Sequence, residues 1–193
     1  MLTTTLPLLK KHLACDGRYA FLVAALRQRK HRGAIPLSLI LEVNGFDDAL
    51  WALRAVPTVQ IAERDRIARL FACDCVQRVL PLFEQKFPDD RRPRQAVVVA
   101  RRFVAGKATV DELTDAGNIA IAMADDFFAL DDATWTVVRA AWRVTAVEIA
   151  RSEAWTSVLN AFRYLHNTVD GRLTAINAET RWQAARLRKY LTK

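Results

Sequence analysis

The chain has 193 residues, 52% of them apolar, with 29 Lys/Arg against 21 Asp/Glu and a net charge of +8. A domain of this length buries roughly 70% of the surface its unfolded chain exposes, and three cysteines (Cys15, Cys73, Cys75) are too few, and odd in number, for the disulfide framework of a small secreted protein. Lys10, Lys11 and His12 interrupt the apolar opening and no window approaches about 18 uncharged apolar residues, which argues against a signal peptide or a membrane span and for a reduced, cytoplasmic protein.

Helix signals follow one another along the chain, and strand signals are scarce. Thr5 is placed to cap a helix from Leu6, with Pro7 tolerated in the first turn. Asp16 and Gly17 break that pattern, after which Tyr19, Leu22, Val23 and Leu26 form an apolar stripe at helical spacing. The cations of "RQRKHRG" suit the negative end of a helix dipole, and Gly33 stops it. Pro36 opens a short helix, "PLSLILEVN", closed by Gly45; Asp47 is expected to cap the next, which ends before Pro57. Residues 63–87 carry the longest pattern of the first half, which Pro81 should kink or divide.

Asp89 or Asp90 then caps a helix that has Pro93 in its first turn and Gly106 at its end. Thr109 and Glu112 form a capping box, the hydroxyl serving the third amide and the carboxylate reaching back. The helix it opens is weakened at Asp115-Ala116-Gly117 and is expected to continue to Ala129. Another starts at Asp131 or Asp132 and, free of Pro and Gly, runs through "WTVVRAAWRVTAVEIARSEAWTSVLNAFRYLHN". Gly171 ends it, and "LTAINAETRWQAARLRKYL" is the last.

The pattern predicts an all-α fold, a compact multi-helix bundle of about nine helices with short connections. It predicts a single helical domain over residues 1–193, with a soft seam near 106–110 between a basic half and an acidic helical segment. Residues 1–110 sum to +9, residues 111–170 to −6 and residues 171–193 to +5, so opposed electrostatic faces are expected unless the segments pair within the fold.

Cys73-Asp74-Cys75 is the first motif to weigh. Residues two apart on a helix point about 200° away from each other, so the two thiols cannot hold one ion without unwinding. Cys75 is in register with Phe71 and Val79 and reads as core, where a thiol is a small hydrophobe. Asp74, on the shoulder of the same face, is expected in a structural ion pair. Trp135 and Trp142, seven apart with Val138 between, follow core periodicity.

His12, His31 and His166 are scattered, and there is no nucleophile elbow, zinc-binding helix or phosphate-binding glycine loop. No catalytic residue, cofactor or metal is assigned, and the chain reads as a non-enzyme. Asp125, Asp126, Asp131 and Asp132 form a candidate acidic patch, read first as one helix end and the next helix's cap, since they lack the alternating oxygens of a calcium loop. Two basic runs are candidate partner-binding groups: Arg27, Arg29, Lys30 and Arg32, and Arg91, Arg92 and Arg94 with Arg101 and Arg102. Such clusters are all that backbone-phosphate binding requires, so a basic nucleic-acid-binding accessory protein without base readout is the competing reading.

"NGFDDALWALRAVP", "IARLFACDCVQRVLPLFEQKFPDDRRPRQAVVVARRFVAGKAT" and the closing "RWQAARLRKYL" resemble a bacterial and phage putative immunity protein family of alanine-rich helical proteins. "LPLLKKHLACDGRYAFLV" and "IPLSLILEVNG" look similar too, so the resemblance covers most of residues 1–110 and the last fifteen or so. It departs between Asp111 and Gly171, where family members are often near-monotonous in Ala, Arg and Asp and this chain has Phe127, Phe128, Trp135, Trp142 and Trp155. The resemblance implies a cytoplasmic helical protein that binds and inhibits a protein partner: a toxin, or a subunit of a bacterial defence complex such as CRISPR–Cas if the chain is a phage-made antagonist. The family has no catalytic motif to carry over.

Overall fold

Pro, Gly and hydroxyl residues punctuate the chain closely enough that most helices are short. A computed structural model describes residues 1–126, 132–146 and 169–192. Among these residues the fold is all-α, as the pattern predicts: nine α-helices and one pair of two-residue strands. Contacts divide the chain into two compact units, residues 1–67 with 182–193, and residues 68–181. The predicted seam at 106–110 lies within the second of them.

In the first unit, β1 (Thr3–Thr4) pairs antiparallel with β2 (Ile35–Pro36). Thr4 is wholly buried and donates its hydroxyl to the Ala55 carbonyl, while Thr3 exchanges hydrogen bonds of 2.8 and 2.9 Å with the Gln60 side chain. Helix α1 (Leu6–Lys11) is capped by Thr5, whose hydroxyl accepts from the Leu8 amide at 3.3 Å. Helix α2 (Asp16–Gln28) starts where the sequence suggested a break. Asp16 in a first turn favours the helix dipole rather than opposing it, and Gly17 simply follows it into the helix.

Helix α3 (Leu37–Val43) leads into α4 (Phe46–Ala52), which continues as a 3-10 turn over Leu53–Ala55. Here Gly45, not Asp47, is the N-cap. Its φ of +92° makes the reversal from α3 to α4 in two residues, a conformation that L side chains rarely adopt. Asp47 and Asp48 fall in the first turn instead. Leu2, Leu22, Leu37, Ile40, Leu53 and Leu187 are among the buried side chains of this unit.

Helix α5 (Ile61–Lys86) is one 26-residue helix that contributes to both units. Pro81 does not divide it. Proline removes one amide and leaves the Gln77 carbonyl without its helical donor, but Gln77 and Pro81 are both exposed, where water can serve that carbonyl. The N-cap of helix α6 (Arg92–Val104) is Arg91 rather than Asp89 or Asp90; Asp90, one residue earlier, still accepts from the first helical amide, that of Arg92, at 3.0 Å. Helix α7 (Val110–Asp126) opens on the predicted capping box: the Glu112 amide donates to the Thr109 hydroxyl at 3.1 Å, and the Thr109 amide to the Glu112 carboxylate at 2.7 Å.

Helices α6, α7 and α8 (Asp132–Arg143) pack pairwise on one another. Phe71, Val76, Val79, Phe83, Leu113 and Val138 are buried in this unit. Gly117, read from sequence as a weak point, is a contact point. A Cβ there would overlap the Thr145 hydroxyl and lie 3.2 Å from Thr145 Cβ and 3.5 Å from Trp142 Cδ1.

The long helix expected from Asp131 or Asp132 stops at Arg143, and the rest of the expected run, from residue 147 on, lies outside the described residues. Two competitors, one local and one distant in sequence, explain the stop. The Thr145 hydroxyl donates to the Trp142 carbonyl at 2.7 Å, and buried Arg69 takes the carbonyls of Val144 and Ala146 at 2.5 and 2.9 Å. Those oxygens would otherwise accept from the next helical turn. The last helix, α9 (Val169–Leu191), contains Gly171 rather than starting after it, because a glycine inside a helix costs only about 1 kcal/mol against alanine.

Candidate functional site

The two basic runs have different fates. The first lies at the end of α2 and in the chain that follows. Arg29 pairs with Glu42 at 2.8 Å, and its hydrogen bond holds the Glu42 carboxyl below the usual range. Arg27, Lys30 and Arg32 are exposed and make no ion pair among the described residues. Lys30 has a φ of +51°, which directs the chain out of the helix.

The second run is largely neutralised where it stands. Arg94 donates twice to Glu84, at 2.5 and 2.7 Å, and this bond lowers the Glu84 pKa. Arg92 grips Asp90 through both of its carboxylate oxygens at 2.7–3.1 Å. Burial pushes the Asp90 carboxyl up, but the side-chain and backbone hydrogen bonds from Arg92 outweigh it and the net shift is downward. Arg101 reaches Asp74 at 2.6 Å and Gln77 at 3.0 Å; Arg102 reaches the Lys107 carbonyl at 2.9 Å and Glu112 at 3.5 Å. Arg91, 67% exposed, makes the loosest pair of the run, 3.8 Å from Glu84.

Counting charges by unit rather than by position along the chain changes the picture. The first unit holds 14 Lys/Arg and 6 Asp/Glu, a net +8; the second holds 15 of each, a net of zero. The acidic run contributes to that neutrality. Asp125 and Asp126 end α7 and Asp132 begins α8, while Asp131 lies outside the described residues.

Cys73 and Cys75 are both fully buried, and burial pushes the Cys73 thiol up to about 12 and the Cys75 thiol well above its ordinary value. Such thiols are poor nucleophiles and poor metal ligands. Asp74 between them is 7% exposed and holds Arg101. Among the described residues no group of three or more His, Cys, Asp or Glu could hold a metal ion, and no helix is long and apolar enough to cross a membrane. His12 is exposed, His31 lies 3.0 Å from the Ala34 carbonyl, and His166 lies outside the described residues. Trp135 is half-buried; Trp142 is 40% exposed and keeps only part of its ring against Gly117 and its neighbours.

Two polar nodes escape a reading of periodicity. Arg69 is 2% exposed, its guanidinium bound to the two carbonyls beyond α8 and set 5.1 Å from the Phe103 ring. Its one sequence signal is a charge in register with Ala72 and Val76 on an apolar face. In the first unit, Arg18 holds Asp48 through bonds of 3.1 and 3.0 Å and the Asn44 carbonyl at 2.6 Å; Asn44 Nδ2 donates to the Arg18 carbonyl and to Asp48 at 2.9 and 2.7 Å. Nothing in the spacing of residues 18, 44 and 48 announces that closure.

No curated protein and no solved structure matches the chain. A family model does: that of the Imm-5 like putative immunity protein, over residues 59–190. This stretch takes in all of the second unit, including its neutralised arginines, Arg69 and the buried Cys73-Asp74-Cys75 segment. The chain belongs to the Imm-5 like putative immunity protein family.

Proposed function

We propose that the protein is a non-catalytic inhibitor that acts by binding a protein partner, and that the contact is made by the basic first unit. Membership of an immunity-protein family over residues 59–190 carries the first part of this reading. The charge balance supports the second: arginines 92, 94, 101 and 102 are engaged within their own unit, whereas Arg27, Lys30 and Arg32 are exposed and unpaired among the described residues. A unit of net +8 selects an acidic surface. The partner is then an acidic toxin or a defence-complex subunit whose assembly surface is acidic.

The same three exposed cations favour a second reading, in which phosphates are gripped without base readout. One experiment separates the two. Tagged protein and an Arg27→Gln/Lys30→Gln/Arg32→Gln variant are used to capture partners from host lysate, with and without nuclease. A protein retained after nuclease by the parent and lost by the variant supports inhibition by protein binding, which a toxin- or complex-activity assay then completes. Capture that vanishes with nuclease, together with a steep salt dependence on a nucleic-acid probe, overturns it in favour of the second reading.

A further inference from the structure

We infer that the solvent face of α2, together with the turns at its two ends, receives the partner, and that the partner offers it an apolar centre bordered by carboxylates, an assignment that rests on the reading of the basic first unit as the contact with an acidic protein. Leu13 and Phe21 are the apolar residues at the middle of that contact.

Three helices end in the same hydrogen-bonded turn. After α6, the Gly106 amide donates to the Phe103 carbonyl at 3.0 Å and the Lys107 amide to the Arg102 carbonyl at 2.8 Å. The amides of Leu13 and Ala14 repeat the pattern after α1, on the carbonyls of Lys10 and Leu9 at 3.0 and 3.1 Å. Those of Lys30 and His31 repeat it after α2, on Arg27 and Leu26 at 3.0 and 2.9 Å. The turn needs one left-handed residue, usually glycine, and Gly106 supplies it with a φ of +67°. Leu13 at +64° and Lys30 at +51° are the non-glycine residues of positive φ among the described residues. A side chain in this conformation crowds the carbonyl that follows it. Lys30 complements the negative end of the α2 dipole. Leu13 has no such return, since it is 87% exposed and buries almost nothing. An exposed leucine is ordinary in itself. One held where glycine would sit more easily weakens the fold, and such positions cluster at binding sites.

Between the two turns, α2 carries no charge from Tyr19 to Leu26. Leu22 and Leu26 are buried, yet Ala20, Phe21 and Ala24 on the other side are exposed, Phe21 by 57%. The outer side of a surface helix is ordinarily polar, and a helix that is apolar all round is ordinarily covered.

Charge says what covers it. Lys10 and Lys11 precede Leu13, and Arg27, Lys30 and Arg32 stand at the far end; all five are exposed and in no ion pair among the described residues. Asp16, in the first turn of α2, is the acid set against them, while Asp48 and Glu42 are held by Arg18 and Arg29. A second copy of the chain, related by a twofold axis, would bring these cations against one another; an acidic partner is attracted by them. The 13 residues of α2 span about 20 Å, so the helix and both turns fit one footprint of about 800 Å². Apolar residues at the centre of such a footprint carry most of the affinity, and the charges around them exclude water and select the partner.

The test uses the tagged full chain and host lysate treated with nuclease. The protein that the parent retains is identified, purified and titrated by calorimetry against Leu13→Gly, Leu13→Met and Phe21→Glu. About tenfold weaker binding is expected for Leu13→Gly and more for Phe21→Glu, with Leu13→Met close to the parent. Thermal unfolding supplies a readout of opposite sign. Leu13→Gly should raise Tm by about 2 °C, because relief at the turn outweighs the looser unfolded chain, and Phe21→Glu should leave it unchanged. Parent affinity in Leu13→Gly or Phe21→Glu would overturn the proposal, and the reading of the first unit would still stand if Arg27→Gln/Lys30→Gln/Arg32→Gln loses the partner. A lower Tm in Leu13→Gly would show that Leu13 serves the fold and would overturn it as well. A parent that sediments as a dimer, separated by Phe21→Glu, would assign the face to a second copy instead. No protein retained by the parent would overturn the reading and this contact together.

Discussion

The two units carry similar numbers of cations, 14 and 15, but differ in how many acids they hold to balance them, 6 and 15. In the second, arginines are part of the construction: Arg69 ends α8, Arg101 accompanies buried Asp74, Arg94 and Arg92 hold Glu84 and Asp90, and Arg78 reaches Glu179, which is 1% exposed. In the first, the cations outnumber the acids by eight, and among the described residues Arg27, Lys30 and Arg32 hold no acid. A charge that is paired and half-buried answers to stability; a charge that is exposed and alone answers to whatever approaches from solvent. Mutations in the two units should therefore fail in different assays.

The largest effect is expected at Arg69. Replacing it with Leu keeps the apolar stem and strands the carbonyls of Val144 and Ala146, which now accept charge-assisted bonds of 2.5 and 2.9 Å. Leaving such groups without a donor should cost about 3 kcal/mol. Urea unfolding followed by circular dichroism would register it as a lower midpoint. An unchanged midpoint would mean that the charges of the second unit are as dispensable as those of the first.

Gly117 comes next. Alanine there gains about 1 kcal/mol of helix propensity but must displace the Thr145 hydroxyl, and overpacking of this kind costs about 1–3 kcal/mol. A net loss of about 1 kcal/mol is expected. Thr145→Ala in the same chain should remove the clash, so that Gly117→Ala becomes neutral or stabilising in that background; a double-mutant cycle in thermal unfolding measures the coupling.

These two residues mark where a linear reading stops. Two helix starts were legible because their chemistry is local: Thr5 with Pro7, and Thr109 with Glu112, lie within one turn of what they serve. The family was legible because its pattern is carried by contiguous stretches, chiefly residues 67–109, inside the matched 59–190. Helix ends were harder. Gly17, Gly117 and Gly171 all read as breaks and all lie in helices, since glycine weakens a helix by less than packing can restore. The end of α8 depends on Arg69, more than seventy residues earlier, and no window in the sequence contains both. Charge likewise depends on which segments the fold joins: sums along the chain are +9, −6 and +5, whereas residues 1–67 with 182–193 hold +8 and residues 68–181 balance to zero.

A smaller effect sharpens the comparison through pH. The Arg94 hydrogen bond lowers the Glu84 pKa from its ordinary 4.5, so the folded state binds this proton less readily than the unfolded chain. The stabilisation is fully present above about 4.5 and is lost as pH falls through the lowered folded value. With Arg94 39% exposed, solvent screening limits it to about 1 kcal/mol. Arg94→Gln should lower stability by that amount at neutral pH, and the gap from the parent should close as pH falls below 4.5.

The smallest effect on stability, and the most informative about function, is expected from Arg27→Gln/Lys30→Gln/Arg32→Gln. The variant loses three charges, taking the chain from +8 to +5. None of the three residues holds an acid among the described residues, and exposed substitutions of this kind usually stay within about 0.5 kcal/mol. Arg27 in the last turn of α2 favours the helix dipole by a similar fraction. The urea midpoint should hardly move while partner capture is lost, the reverse of what Arg69→Leu does. Equal loss of stability and capture would mean that the run builds the first unit just as the arginines of the second build theirs, and the contact would then have to be sought around Arg91.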